Sequence, residues 1–464
     1  MKKECRVLIL LTGILTIYAG LMAFLSIRNH ELYQTFGWDL GFFDQLIWQA
    51  SRGNLNFVST IGNINLLGDH FQPVIYLLAP LYWIWSDVRV LLIVQALLVT
   101  GAAIPLYFLA KKKLHNEFIS FSIVISYLLF SGTQFTITNE FHQSAFIPLL
   151  LSLGFYWMET GKRNWGIISI LSLLLVKEEM GLLVAAIGLM YIFRKQVKTG
   201  ILLTVAGLFG FYILINSIIP AVSSQNNYIH YGYGSLGETP AEVAKSVINN
   251  PVAGFRSLIE PKIKLEQVGA SIISFGGLPL LSPVGLIPVF QNYAVRFIDD
   301  RNTHRWLNNN HYSAPLGPLL AYATILAFGK FKSRKLPAVY LAAMSIVVAL
   351  VLRLPVWSLF KSQLYFTPQW AKNIDSIVKL VPANASVAAN NSVFPHISQR
   401  DKIYLLPEIN DAEYVVMDLE DGPNKYSPLD FSQAVLLSER LESESWDKIA
   451  VSGKSVIFKR PKGL

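Results

Sequence analysis

Long uncharged apolar runs dominate the first three quarters of the chain. Val7–Ile27 supplies 21 residues without a charge, Val90–Ala110 another 21, and Phe118–Thr138 a third such run. A bilayer core needs roughly 20 apolar residues in a helix, so each of these is expected to span. Ser144–Met158, Gly200–Ile219, Ser313–Phe328 and Leu336–Leu352 are further candidate spans. Val7–Ile27 has the look of a signal peptide, yet it is long and lacks a small-residue cleavage site, which predicts an uncleaved first helix. Trp165–Phe193 carries Lys177-Glu178-Glu179 in its middle. That pattern predicts two short helices meeting at a polar turn recessed into the membrane. Phe71–Trp85 is expected not to span, and Ala270–Phe290, interrupted by Gly and Pro, to be re-entrant or interfacial.

The pattern changes in the last quarter. Pro368–Val381 places Trp370, Ile374, Ile377, Val378 and Val381 at helical spacing. Ser386–Ala389, Lys402–Leu406 and Tyr414–Leu419 predict short strands, Asp430–Glu444 a helix, and Lys448–Val451 with Ser455–Lys459 a closing hairpin around Ser452-Gly453-Lys454. The fold class expected is therefore a polytopic α-helical membrane protein of about nine or more spans (residues 1–354). A small soluble α/β domain (residues 355–464) follows it.

Composition agrees. Only 15% of the 464 residues are charged and 53% are hydrophobic, against roughly 25% charged in an ordinary soluble protein. Residues 355–464 hold 25 charged positions, 12 basic and 13 acidic, so the net charge of +9 belongs to the apolar part. Basic residues flanking membrane spans explain that excess better than nucleic acid does. Cys5 is the sole cysteine, which excludes disulfides and thiolate metal sites. Lys2/Lys3/Arg6, Lys111–Lys113, Lys162/Arg163, Arg194/Lys195/Lys198 and Lys330/Lys332/Arg334/Lys335 are all expected on the cytoplasmic side of a plasma membrane. One threading satisfies all five: N-terminus inside, outside loops at 28–89 and 221–312, and an extracytoplasmic tail.

On that threading the acids and histidines gather outside: Asp39, Asp44, Asp69-His70, Glu140, His142, Lys177-Glu178-Glu179, Arg296 and His311-Tyr312. Asp39 or Asp69 could equally cap a helix, and Glu140/His142 could be an ordinary polar loop. Charges beside hydrocarbon, as at 177–179, are functional candidates by default, although an internal ion pair would also satisfy them. A carboxylate at the outer interface can act as general base on an acceptor hydroxyl, and a nearby lysine or arginine can hold a lipid phosphate. That combination fits transfer of a sugar from a polyprenyl-phosphate carrier. Asp44, Asp69 and Glu140 would support a base or hold a metal. His142 and His311 lack a third ligand at clear spacing and HExxH is absent, so no metal ligand is assigned. No cofactor follows from spacing, and a divalent cation stays open. No Walker loop or GxGxxG occurs.

The motifs Asp39-Leu40-Gly41 with Asp44-Gln45, Asp69-His70 with Pro73, Glu140-Phe141-His142, Lys177-Glu178-Glu179 and His311-Tyr312-Ser313 resemble the domain-of-unknown-function 2079 family of predicted membrane proteins. Pro382-Ala383-Asn384-Ala385-Ser386-Val387, Pro395-His396-Ile397-Ser398 and Ala412-Glu413-Tyr414-Val415-Val416 look like its C-terminal part. Glu179 and Glu413 stand where that family favours Asp. The family in turn is similar to the GT-C superfamily of polytopic glycosyltransferases, which includes the protein O-mannosyltransferases and the lipid A aminoarabinose transferases. The resemblance implies an inverting transferase with Asp39 as catalytic base and Asp44 second. Asp69, His70, Glu140, His142, Lys177, Glu178, Arg296, His311 and Tyr312 would then contact substrate. It implies a polyprenyl-phosphate-linked sugar as donor, membrane lipid as partner, and an envelope acceptor of unknown identity. His396 and Arg400 are minor candidates for ligand contact. A secondary transporter or lipid or glycan translocase is the alternative, and a non-catalytic envelope scaffold a third.

Overall fold

The first apolar run folds as one helix, Lys2–Glu31, whose flank exposes Leu10, Ile17 and Leu21. Such an apolar surface is stable only against lipid or another protein. The chain is seen here in a computed structural model that describes residues 2–230, 233–331 and 333–461. Lys332, used above for orientation, lies outside the described residues, as do positions 231–232 and 462–464.

Arg89–Gly101 and Ala103–Leu114 run on as one 26-residue apolar rod. Glu117–Leu129 and Ser131–Thr138 form a pair bent by 51° at Phe130. Val197–Val222 completes the long apolar segments, through a π-helical turn at Leu214–Ile218. Among the described residues, then, three helices are long and apolar enough to cross a membrane, four if the bent pair is one span. Pro73–Trp83, Arg163–Leu175, Met180–Phe193, Leu316–Phe328 and Lys335–Val351 are shorter and apolar. Length and composition thus leave the expected nine or more spans unconfirmed.

One departure from expectation stands out. The expected loop at 221–312 contains four helices, Pro240–Asn249, Pro251–Ile259, Ile263–Ser274 and Ile287–Ile298. Phe71–Trp85, expected not to span, holds the short 3-10 helix Pro73–Trp83, which is not among the helices long enough to cross a membrane. Likewise the segment 165–193 divides into Arg163–Leu171 and Met180–Phe193 around a turn holding Lys177–Glu179. Met180–Phe193 packs on Val197–Ile213 through small residues. A Cβ on Gly188 would lie 2.6 Å from the Gly200 carbonyl oxygen, and one on Gly207 would lie 2.5 Å from that of Gly181. Glycine permits that close backbone approach between two apolar helices.

Residues of three of the basic clusters meet at one end. Lys113 and Arg194 both pair with Glu159, and Arg334 donates to the Leu114 carbonyl at 3.1 Å. Arg89, at the other end of the 89–114 rod, borders the C-terminal layer. The rod therefore separates the basic end from the end that carries the acids and histidines.

That C-terminal layer is a five-stranded sheet. After a short hairpin of β1 (Val58–Ser59) and β2 (Ile64–Asn65), the strands are β3 (Val387–Ala389), β4 (Ile403–Leu405), β5 (Tyr414–Asp418), β6 (Asp447–Ser452) and β7 (Ser455–Lys459). Their order is β4-β3-β5-β7-β6, with β3 parallel to β4 and β5, and β7 antiparallel to β5 and β6. Strand alternation sends Val387, Ala389, Val416 and Ile457 to helix Gln369–Val378 on one face. It sends Ala388, Val415, Met417 and Phe458 to helix Phe431–Ser443 on the other. Phe394, Ile403 and Leu405 join the helical core, so the two layers share apolar packing.

Candidate functional site

The turn that carries Asp39 is built from outside itself. Residues Gly37–Gly41 form a single π-helical turn without a side-chain cap of their own, a form that recurs at functional sites. Glu140 supplies the missing acceptor: its Oε2 takes the backbone N–H of Phe36 at 2.7 Å and of Leu40 at 3.1 Å. Asn391 of the C-terminal layer accepts from Gly37 N at 2.8 Å. Phe394 packs so closely that a Cβ on Gly41 would lie 2.5 Å from its ring. Asp39 is therefore held between Glu140 and the sheet layer, and its side chain stays half-exposed.

His142 faces it. The His142 Nδ1 lies 2.8 Å from the Glu140 carbonyl oxygen, which only accepts, so Nδ1 carries a hydrogen. Nε2 lies 3.2 Å from Asp39 Oδ1. Two acceptors would repel there, so one proton is shared between the imidazole and the carboxylate. Burial pushes the Asp39 carboxyl up, but His142, with His304 further off, brings it net below its ordinary value. Burial and the Asp39 charge push Glu140 well above its ordinary range. Two neighbouring carboxyls are thus driven apart, Asp39 to the ionised form and Glu140 to the neutral one. The His311 ring stacks on His142 with centroids 3.5 Å apart. Burial, then the neighbouring His142, Lys177 and Arg305, keep His311 neutral.

A second group adjoins. Asp69, at the end of the short helix Leu66–Asp69, accepts from His230 Nε2 at 2.7 Å. His70 stacks on His230 at 3.9 Å and donates from Nδ1 to Glu178 at 2.7 Å. Glu178 is fully buried and also accepts from Phe71 N and Tyr228 Oη. Lys177 lies 3.6 Å from Glu179 and 5.2 Å above the Tyr312 ring. Arg305 binds Glu179 at 2.7 Å and Asp299 at 2.9 Å, with its guanidinium 4.8 Å from the same ring.

Asp39, Asp69, His70, His142, Lys177, His311 and Tyr312 all line one cavity of about 350 Å³. Asp39, His142, His311 and Tyr312 continue into a neighbour of about 450 Å³ with Glu140 and Asn424. Lys177, His70 and Tyr312 continue into a third of about 270 Å³ with Arg305, His304 and His230. Sequence-distant groups are therefore brought to one connected polar space.

Four expected residues fall elsewhere or are already engaged. Asp44 is buried and lines a different cavity of about 710 Å³, where it accepts from Tyr82 Oη, Ser398 Oγ and Gln399 Nε2. Arg296 is 2% exposed and lines none of the three site cavities. Its guanidinium is held by the Arg305 and Leu307 carbonyls at 2.6 and 2.7 Å. Arg305, nine residues on, occupies the position beside Lys177 that Arg296 was expected to fill. Glu178 and Glu140 place their oxygens on protein donors and act as supports. Of the minor candidates, Arg400 is spent on the carbonyls of Ile397, Pro382 and Ala385, and His396 is sandwiched between His30 and Tyr33. Neither Asp39 nor Asp69 caps a helix; Asn65 caps Leu66–Asp69. His230, His304 and Arg305 escape sequence reasoning because they sit in a segment read as a loop. For His304 and Arg305 the signal is the density of rings and charge in Thr303-His304-Arg305-Trp306.

A family model described as a predicted membrane protein (DUF2079) matches residues 29–448. Among solved structures, the crystal structure of ArnT from Cupriavidus metallidurans in the apo state is similar, with a TM-score of 0.55 and 12% identity, covering 98% of both chains. At that identity the likeness is one of fold. No curated protein matches the chain in sequence.

Proposed function

The chain belongs to the DUF2079 family of predicted membrane proteins, and from that premise and the ArnT-like fold we propose that it is a GT-C-like membrane glycosyltransferase. It transfers a sugar from a polyprenyl-phosphate carrier to an envelope acceptor on the outer face. The observation that supports this reading best is the position of Asp39. An ionised, half-exposed carboxylate on a rigid turn borders the same cavity as the buried cation Lys177.

The chemistry follows from that spacing of charge. Asp39 takes the proton of an acceptor hydroxyl as its oxygen bonds to the anomeric carbon. The bond from that carbon to the carrier phosphate breaks, and the phosphate leaves with the electron pair. Lys177 and Arg305 hold the charge that develops on it; a preorganised cation in a site with little water is worth more than one in solution. Attack from the face opposite the leaving group inverts the anomeric centre. The C-terminal layer, proposed to be extracytoplasmic, walls the cavity through Asn424 and presents the acceptor. Both Lys177 and Arg305 also pair with Glu179, so a phosphate has to compete with that carboxylate.

Lipid-linked sugar profiling of a deletion strain tests the reading. Unspent polyprenyl-phosphate sugar is expected to accumulate on deletion and to return to normal with the wild-type gene. An unchanged lipid-linked pool, together with solute uptake or lipid translocation in proteoliposomes, would overturn it in favour of a translocase.

A further inference from the structure

Asp69, His70 and His230 form a group that the transfer chemistry does not use. One ligand atom from each lies within 4.8 Å of the others. All three side chains are more than half buried, at 14%, 15% and 33% exposed. Their donor set is two imidazoles and one carboxylate. Imidazole selects zinc-like transition cations, whereas magnesium and calcium prefer oxygen throughout.

We propose that Asp69, His70 and His230 bind a single divalent cation of the zinc class, with one coordination position left open to the cavity. Three features beyond proximity support it. The first is Glu178. Metal-ligating histidines almost always donate their second ring N–H to a carboxylate or carbonyl, which fixes the tautomer and leaves the other nitrogen for the metal. His70 Nδ1 makes that bond to Glu178 at 2.7 Å, which frees Nε2 for an ion. Glu178 is itself fixed by Phe71 N at 3.2 Å and Tyr228 Oη at 2.9 Å, a support that a surface ion pair does not need.

The second feature is the count of ligands. Three protein ligands and an open position is the arrangement of a reactive zinc site, whereas structural sites close with four. The third is location. Asp69, His70 and His230 line the cavity that also holds Asp39 and Lys177, so the open position faces a space where an anionic oxygen would complete the shell. The ligand atoms of a tetrahedral zinc ion with bonds of about 2.1 Å sit about 3.4 Å apart. Asp69 Oδ1 and His230 Nε2 already sit 2.7 Å apart, so the ion would enter in place of their hydrogen bond. The inference stands whether or not the protein transfers a sugar.

The test uses the full-length protein in detergent, purified on a tag without histidine and stripped with a chelator. Zinc chloride is then titrated against a chromophoric competitor, and bound metal is counted after gel filtration. One zinc per chain is expected, with imidazole in its first shell by X-ray absorption. Magnesium and calcium chloride are expected to leave the melting temperature unmoved. Glu178→Gln should weaken zinc binding 10- to 100-fold, the range typical for loss of such a support. His230→Ala should abolish binding, while His230→Cys should retain it because a thiolate is also a zinc ligand. Uptake below about one tenth of an equivalent would overturn the proposal, as would wild-type affinity in a folded Asp69→Asn, His230→Ala double variant. Should that variant fail to fold, a wild-type absorption spectrum lacking imidazole decides against it.

Discussion

Asp39 and His142 share one proton, and that sharing sets what Asp39 can do. A carboxylate serves as general base only while ionised, and here burial opposes ionisation while His142 restores it. Replacing His142 with Gln keeps a donor toward Asp39 but removes the imidazole charge. Asp39 should then ionise at higher pH, so the acidic limb of the rate profile should move to higher pH. Below that limb the variant should be slower than wild type, while on the plateau the two rates should converge. A pH–rate series on the two proteins checks this. An acidic limb that stays in place would show that His142 does not govern Asp39. The paired acids were legible in the sequence as chemistry but not as roles. Glu140 and Glu178 look like site carboxylates in a string of letters, and only their backbone partners, Phe36, Leu40 and Phe71, show them to be supports.

At the scale of elements, the turn Gly37–Gly41 depends on a residue about a hundred positions away. Glu140→Ala would leave the N–H groups of Phe36 and Leu40 without their acceptor, at a cost of about 1–3 kcal/mol for a buried unsatisfied group. Glu140→Gln should be nearly neutral, because an amide oxygen still accepts both bonds and the native carboxyl is already protonated. Thermal unfolding in detergent separates the two; equal losses would mean that the charge of Glu140 matters more than its geometry. Long apolar runs were readable because a membrane helix has a length and hydropathy that few other elements share. The elements of the C-terminal layer were readable for a different reason, since Asp430 caps its helix and short alternating runs bound the strands. The helices within 221–312 were not read, although Thr239-Pro240 and Asn250-Pro251 carry the cap and first-turn proline of helix starts. Their amphipathic faces are short and interrupted, so a reading tuned to membrane spans passes over them.

The whole molecule is two layers tied together by buried polar contacts, and Asp44 is the clearest tie. It joins helix Phe42–Ser51 to Tyr82 and to Ser398 and Gln399 of the C-terminal layer. Burial pushes its carboxyl up to about 6, against the pull of those three donors. The folded state therefore holds this proton more tightly than the unfolded chain, whose ordinary value is 3.8. Stability from this group is present below about pH 4 and is lost as pH rises to about 6. Asp44→Asn should flatten the change in melting temperature between pH 4.5 and 6.5, and an unchanged slope would assign the dependence to other groups. Distance along the chain hid this arrangement, because nothing local marks that Asp44 turns toward residue 398 while Asp39, five positions earlier, turns toward residue 142. The central claim is that Asp39 takes the acceptor's proton. In a deletion strain carrying the Asp39→Asn gene at wild-type protein level, glycosylated envelope product should fall by 10²–10⁴-fold, the usual range for loss of a general base. Unspent carrier-linked sugar should rise to the level of the deletion itself. Product and carrier pools equal to wild type in that strain would contradict the assignment.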